Sequence, residues 1–274
     1  MGILRYGEPI NALVAVKGHP FQRDAFAAIF EEMDGVSATI VEQPAAAQLM
    51  APTGLAPYDV LVLYDMPGLD FRASAPPGYV PPPDGFKAGL EAVLDAGKGV
   101  VALHHAIAAW PTEEWYAELL GGRFLYRAGM LRGAHRLDSG YRHEVAHAVL
   151  VQGEHEILDG LPSGFPLTDE LYLYEVFEDS VTPLLRSSHA FTRDNFYSAT
   201  LAVSGQMFSN DGWEHEPGSD LIGWVKKARR SPLVYLQPGD GPATYADANY
   251  RRLLRNAITW ASSKEALAWA RASS

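Results

Sequence analysis

Short apolar runs alternate with segments of helical spacing through the first part of the chain. Strands that alternate with helices at these lengths build βαβ units, which place parallel strands side by side. The pattern therefore predicts an α/β fold with a doubly wound, mostly parallel sheet and helices on both faces. The predicted elements are strands at 11–16, 37–41, 58–64 and 99–103, and helices at 21–33 and 86–96.

Beyond Pro111 strands become more frequent, which predicts a β-rich insertion within a single domain of residues 1–274. The segment Gly121–Arg142 is polar and irregular and receives no assignment, and the proline-rich stretch Ala75–Pro83 is expected to be an extended surface loop. The predicted elements here are a helix at 111–120, strands at 144–151, 171–177, 183–187, 198–203 and 233–237, and a helix at 246–262 that 264–271 extends.

Composition excludes several classes of function. The formal charge of −11 argues against binding to nucleic acid or to an anionic membrane surface, since both favour clusters of Lys and Arg. The chain has no cysteine, so disulfides and thiolate ligands are excluded. No run of apolar residues could span a membrane, and no signal peptide is recognised, so a cytoplasmic location is expected. The sequence leaves open whether the chain forms a homo-oligomer.

Motifs that bind nucleotides are also missing from the sequence. Neither a GxxxxGK[ST] run nor a GxGxxG run follows a predicted strand, so no nucleotide cofactor is expected. A GxSxG nucleophile elbow is absent as well, which excludes a serine hydrolase of that kind.

Two adjacent histidines follow the predicted strand at 99–103. In open α/β sheets, ligands bind at the carboxyl ends of the strands, so His104 and His105 stand where chemistry is expected. Neighbouring strand residues point to opposite faces, so we expect His104 to face the crevice and His105 to support it. The alternative is a turn histidine that bonds only to backbone.

Further polar residues follow other predicted strands. If these strands are neighbours, His19, Asp65, His104 and Asp240 meet at one edge of the sheet. Two imidazoles and two carboxylates could hold zinc, with His19 and His104 as the ligands, or could act as general acid and base without metal. Alternatively, the two aspartates only shape turns.

A third candidate lies in the segment 168–174. On a strand, Glu170, Tyr172 and Tyr174 share one face. An acid beside two phenols suits a sugar, which needs hydrogen-bond acceptors for its hydroxyls and an aromatic surface for its C–H groups. Glu170 is the predicted group for proton transfer; the alternative is an edge strand with a solvated polar face.

Three more histidines, His143, His147 and His155, lie on or beside the predicted strand at 144–151. Surface or core roles are more common for such residues, so they are not placed in the predicted site.

Several segments, in the same order along nearly the whole chain, resemble the trehalose-utilisation (ThuA-like) family. That resemblance implies a class I glutamine-amidotransferase-like, flavodoxin-like fold, although the cysteine usual in this fold is missing. The matching segments are Val16–Phe21, Gly97–Ala106, His155–Pro162, Asp169–Tyr172, Pro238–Asp240 and Ala257–Ala261.

The resemblance also implies a role in the breakdown of disaccharides or oxidised sugars, together with a metal site. His19, His104 and Glu170 fall on matching motif positions, whereas Asp240 stands where the family commonly has Gly-His.

The sequence leaves two hypotheses for the function. The first is a hydrolase or lyase that acts on a glycoside or keto-sugar derivative, with or without a metal such as zinc. Glu170, His104 and Tyr172 would be its catalytic residues, and His105, Asp65, Tyr174 and Asp240 would bind the substrate. The second is a non-catalytic protein of the same fold that binds a carbohydrate or a partner.

Overall fold

The computed structural model of the chain describes residues 9–272. The ends of the predicted single domain, residues 1–8 and 273–274, lie outside the described residues, as does most of the segment in which no signal peptide was recognised. Among the described residues, no helix is both long and apolar enough to cross a membrane.

The strands differ widely in length. Those of the main sheet are mostly six residues or longer, and several two- or three-residue strands form small hairpin-like pairs. In chain order the strands are β1 (Ile10–Lys17), β2 (Val36–Glu42), β3 (Val60–Asp65), β4 (Leu69–Asp70), β5 (Gly78–Tyr79), β6 (Gly99–Leu103), β7 (Gly122–Arg123), β8 (Gly129–Leu131), β9 (Ala134–Arg136), β10 (Gly140–Val151), β11 (Gly164–Leu173), β12 (Glu175–Val176), β13 (Thr182–Ser187), β14 (Tyr197–Ser198), β15 (Leu221–Ala228) and β16 (Ser231–Leu236).

The longer helices follow the apolar spacing in the sequence. They are α1 (Arg23–Glu31), α2 (Ala45–Leu49), α3 (Pro52–Leu55), α4 (Phe86–Ala96), α5 (Glu114–Leu120), α6 (Ala199–Val203), α7 (Pro242–Ala246), α8 (Ala248–Ala261) and α9 (Lys264–Arg271). Short 3₁₀ turns lie at His104–Ala108, Glu156–Leu158, Glu178–Ser180 and Arg193–Asn195.

One sheet with two halves organises the molecule. Its strand order is β11-β10-β13-β15-β16-β6-β3-β1-β2, with β14 paired to β10. The pairs from β16 to β2 are parallel and form the doubly wound half that the sequence predicts. The pairs from β11 to β16 are antiparallel, so the expected β-rich insertion continues the same sheet. The predicted α/β class is confirmed.

Helices cover both faces of the parallel half, as expected. In β1, Val14 packs with α1 and α8 on one face, whereas Leu13 and Ala15 pack with α4 on the other. This alternation follows from the two-residue period of a strand, and strands buried on both faces read as continuous apolar runs.

The register of the parallel strands brings several chain segments to one edge. Leu103 of β6 lies opposite Leu236 of β16, and Lys17 of β1 lies opposite Asp65 of β3. The residues that follow these strands therefore come together at the carboxyl edge, as the sequence predicts.

Several segments differ from the prediction or extend it. Residues 199–203 form the helix α6 rather than a strand, because the Ser198 hydroxyl oxygen accepts a hydrogen bond from the Leu201 amide at 3.1 Å and caps the helix. The strand β15 was not predicted. The unassigned segment Gly121–Arg142 contains β7, β8, β9 and the start of β10, and the proline-rich loop has one short strand, β5, paired with β4.

Candidate functional site

A pocket of about 430 Å³ opens at the carboxyl edge of the parallel strands, next to the antiparallel half of the sheet. His19, His105, His143, Glu170 and Tyr172 contribute its polar groups. The rest of the lining is mainly apolar or aromatic. Both halves of the sheet therefore contribute side chains to one hollow.

A sharp corner after β6 places the two adjacent histidines. His104 begins the 3₁₀ turn with a φ of +46°, an unusual conformation for a residue with a side chain, and Tyr235 donates a hydrogen bond to the His104 carbonyl at 2.8 Å. The corner turns His105 into the pocket lining and leaves His104 fully buried behind it. This is the reverse of the expected arrangement, because the strand geometry assumed in the prediction ends at Leu103.

His104 occupies the centre of a buried polar network. Its Nδ1 donates to the Gln237 carbonyl at 2.6 Å, so its Nε2 faces the Glu170 carboxylate at 3.0 Å and the Tyr172 hydroxyl at 2.8 Å. Asp240 Oδ1 lies 3.5 Å from the same nitrogen. Burial alone would lower the pKa of His104, but its hydrogen bonds with Asp240 and Glu170 outweigh that cost and raise the pKa well above its usual value.

The positive imidazolium keeps Asp240 ionised, and burial keeps Tyr172 protonated. Although burial by itself would raise the pKa of Asp240, the hydrogen bond with His104 lowers it to about 2. Burial raises the pKa of Tyr172 well above its usual value, so its phenol keeps its proton.

Glu170 is held at both carboxylate oxygens. Oε2 contacts His104, and Oε1 lies 3.2 Å from Nδ1 of His143. The Glu170 side chain is almost fully buried, whereas that of His143 is 38 % exposed. Glu170 is thus linked to bulk solvent through one imidazole.

Backbone amides position Asp240 through a second carboxylate. Asp169 accepts hydrogen bonds from the amide of Gly239 at 2.7 Å and from the amide of Asp240 at 3.1 Å. Since Asp169 precedes Glu170 on β11, this strand directs one carboxylate to the pocket and the other to the loop that carries Asp240.

His19 and His105 form a stacked pair at the polar end of the pocket. Their ring centroids are 4.4 Å apart. The turn before His19 requires glycine, since Gly18 has a φ of +101° and a Cβ there would overlap the backbone of Met66. Burial lowers the pKa of both histidines, and that of His105 falls well below its usual value, so both rings are neutral near pH 7.

Three of these residues have a donor set that fits a divalent cation. His19, Glu170 and Asp240 each offer one ligand atom, and these atoms lie within 4.8 Å of one another. Nδ1 of His19 is buried and makes no hydrogen bond within residues 9–272. One nitrogen and two carboxylate oxygens are ligands that zinc accepts in sites with an open position. The expected ligand His104 is not part of this group, because both of its ring nitrogens are already hydrogen-bonded.

Three of the predicted substrate-binding residues, Asp65, Tyr174 and Asp240, are not part of the pocket lining, and of these only Asp240 belongs to the polar network around His104. Asp65 turns toward Gln43, whose amide donates to its carboxylate at 2.6 Å, and burial raises the pKa of Asp65 to about 6. Tyr174 shares a strand face with Tyr172, as expected, but it packs in the apolar core beside Gly122. The structure thus brings together six of the eight predicted residues: His19, His104, His105, Glu170, Tyr172 and Asp240.

His143 is a site residue that the sequence interpretation assigned to a structural role. The register between β10 and β11 shifts between Arg142 and Val145, and Glu144 has a φ of +53°. This β-bulge places His143 beside Glu170. His147 and His155 do have structural roles: His147 bonds to Ser187 at 2.8 Å, and His155 packs against Trp260.

The sequence as a whole matches one family model. The model described as trehalose utilisation, ThuA, matches residues 11–261. The chain belongs to this family. Membership confirms the recognition made from the sequence motifs and indicates a role related to carbohydrates. No curated protein matches the chain significantly.

Solved structures similar to this ThuA family member support its fold. A ThuA-like protein from Parabacteroides merdae has 14 % identity and a TM-score of 0.65, with 93 % of this chain and 91 % of that chain covered. A ThuA-like protein from Bacteroides uniformis has 19 % identity and a TM-score of 0.59, with 96 % of each chain covered. A cytoplasmic protein from Salmonella typhimurium has 11 % identity and a TM-score of 0.56, with 92 % and 99 % covered. At these identities the likeness concerns the fold alone.

Proposed function

We propose that this ThuA family member is an enzyme that binds a sugar derivative in the pocket and cleaves it by hydrolysis or elimination, with Glu170 transferring the proton. The proposal rests on the contacts at both carboxylate oxygens of Glu170. One oxygen contacts buried His104 at 3.0 Å, and the other contacts partly exposed His143 at 3.2 Å. A carboxylate fixed at one oxygen and linked to solvent at the other suits general acid–base catalysis.

The proton path follows from this arrangement. Glu170 exchanges a proton with the substrate, and His143 then exchanges it with solvent, because only His143 of the two histidines is substantially exposed. His104 holds Oε2 and keeps the carboxylate in one orientation. Tyr172, which stays protonated, also bonds to His104 and lines the pocket, where it orients a substrate hydroxyl.

His19, Glu170 and Asp240 would hold a divalent cation such as zinc, in line with their donor set. The ion would supply positive charge that polarises a substrate oxygen. His104 then acts as a positioning residue for two carboxylate ligands, and Asp169 does the same through the Gly239 and Asp240 amides. Glu170 has two oxygens, so contact with an ion at one leaves the other for proton exchange.

Purified protein tests the proposal directly. We expect about one equivalent of zinc or a similar ion per chain by elemental analysis. Calorimetry should detect binding of at least one member of a panel of monosaccharides, disaccharides and keto-sugar derivatives, and chromatography should show its cleavage. Binding without any cleavage would favour the alternative, a carbohydrate-binding protein. Absence of binding throughout the panel at millimolar concentrations would refute both.

A further inference from the structure

The imidazoles and the carboxylate of the pocket lie together in one part of it. His19, His105, His143 and Glu170 contact one another or share neighbours. Beyond this cluster the lining consists mainly of Met, Ala, Val and aromatic side chains. A sugar ring can place its C–H groups against an aromatic surface, but it carries hydroxyls around its rim, so one sugar ring alone would leave part of the apolar lining of a 430 Å³ pocket poorly matched.

One aromatic wall leads from the polar end to the pocket mouth. Successive ring centroids lie 5.0 Å apart for Tyr172 and Phe124, 5.1 Å for Phe124 and Tyr126, and 5.6 Å for Tyr126 and Phe71. The last ring, Phe71, is 44 % exposed. Tyr126 directs its hydroxyl to the Met66 sulfur at 3.7 Å, so that hydroxyl already has an internal partner.

A second wall stands on the side of the antiparallel strands. His143 packs against Tyr141 at 5.3 Å and against Phe208 at 6.1 Å. The Tyr141 hydroxyl oxygen accepts a hydrogen bond from the Phe208 amide at 3.0 Å, so this hydroxyl is also engaged. Phe208 is 58 % exposed, and Met207, which lines the pocket, is 52 % exposed.

Large apolar side chains that cluster in exposed positions at a cleft usually form a binding surface for a ligand or a partner. Phe71, Met207 and Phe208 leave large apolar surfaces in water beside a hollow whose polar end is suited to a sugar. The wall of rings is continuous with that polar end, so a single ligand can occupy both. Flat aromatic groups match such walls through stacking and edge-to-face contacts.

We propose that the substrate is a sugar joined to an aromatic or similarly flat apolar group, which lies between Phe71 and the Met207–Phe208 segment while the sugar lies against Glu170. This inference rests on the proposed function, since it assigns the sugar to the polar end. It makes Phe71 and Met207 specificity-determining residues.

Matched pairs of ligands test the inference. Phenyl and methyl glycosides of glucose and galactose, in both anomeric forms, are titrated into the full-length protein by calorimetry, together with phenol alone. We expect at least one phenyl glycoside to bind about tenfold more tightly than its methyl partner. Equal affinities within each pair would overturn the inference and leave the proposed sugar function standing.

Variants test which side chains cause the difference in affinity between phenyl and methyl glycosides. Phe71→Ala should weaken binding of the phenyl glycoside about tenfold and leave binding of the methyl glycoside unchanged. Met207→Ala should act in the same direction. Leu150→Ala, which removes an exposed apolar side chain far along β10, is the matched control and should change neither affinity. Thermal melting confirms that each variant is folded.

The remaining outcomes separate the two proposals. Tight binding of phenol with no binding of any glycoside would overturn both the sugar function and the inference that rests on it. No binding of any of these probes would overturn the inference. A dimer in sedimentation that dissociates in Phe71→Ala would show that a second copy of the chain covers these side chains, and would also overturn it.

Discussion

In the parallel half of the sheet, side chains reach the pocket from residues that follow the strand ends. His19 comes after β1 and His105 after β6, whereas His104 and Asp240, which follow β6 and β16, contact each other beside the pocket lining. In the antiparallel half, side chains reach the same pocket from within long strands: His143 lies at a bulge in β10, and Glu170 lies in β11. The parallel half follows a rule of fold topology. The antiparallel half depends on which strand lies beside which.

This difference between the two halves indicates in which half the reactive group lies. Of the residues at strand ends, His19 and His105 stack on each other and make few hydrogen bonds, whereas His104 is held by Glu170 and Tyr172 of β11. Adjacent antiparallel strands bring side chains together across their register, which is how Glu170 gains His143. We therefore expect proton transfer to depend on the antiparallel half and the retention of an ion to depend on both halves.

The largest expected effect is a difference in turnover between variants of two buried carboxylates, one from each half of the sheet. Glu170→Gln keeps the shape of the side chain but removes its proton-transfer capacity, so turnover should fall about 1,000-fold. Asp65→Asn, at the end of β3, keeps an acceptor for Gln43 and should change turnover by less than about twofold. Steady-state kinetics on a cleaved sugar derivative measures both. Comparable losses in the two variants would show that the chemistry depends on both halves and would contradict its assignment to the antiparallel half.

A second comparison concerns the adjacent histidines after β6. His104→Leu removes the buried cation between Glu170 and Asp240, so the free energy of unfolding should fall by about 3 kcal/mol. His105→Leu removes a neutral buried imidazole that bonds little, so it should change the free energy of unfolding by less than about 1 kcal/mol. Urea denaturation gives both values. A greater loss in His105→Leu than in His104→Leu would contradict the assigned charges.

The smallest effect is a change in the pH dependence of stability, and it compares His147 of β10 with His135 of β9. Burial lowers the pKa of His147 to about 4, so it is neutral in the folded protein and is protonated more readily in the unfolded chain, where its pKa is about 6.5. The stability due to this residue is therefore complete above about pH 6.5 and is lost as the pH falls toward about 4.

Between pH 7 and pH 5, this loss amounts to about 2 kcal/mol in the free energy of unfolding. His147→Gln should flatten that part of the profile, measured by urea denaturation at several pH values. His135→Gln, at an exposed position, is the control and should leave the profile unchanged. An unchanged slope in His147→Gln would show that other groups cause the pH dependence.

The sequence by itself determined the parallel half of this protein and the residues at its strand ends. Short apolar runs separated by helical spacing leave few topologies, and in such folds the carboxyl edge collects the ligand-binding groups. That reasoning placed His19, His104 and Asp240 at one edge, where the structure has them. It also placed Glu170 and Tyr172 on one face of a strand, since alternation is a local property of the backbone.

Only the tertiary structure decided which of these groups face the pocket and what they contact. The corner at His104, with a φ of +46°, turned His105 inward, and the bulge before Val145 carried His143 to Glu170. Both are departures from regular geometry that neighbouring strands stabilise, for example through the bond from Tyr235 to the His104 carbonyl. Their partners lie far away in the sequence, so no local pattern of hydrophobic and polar residues records them.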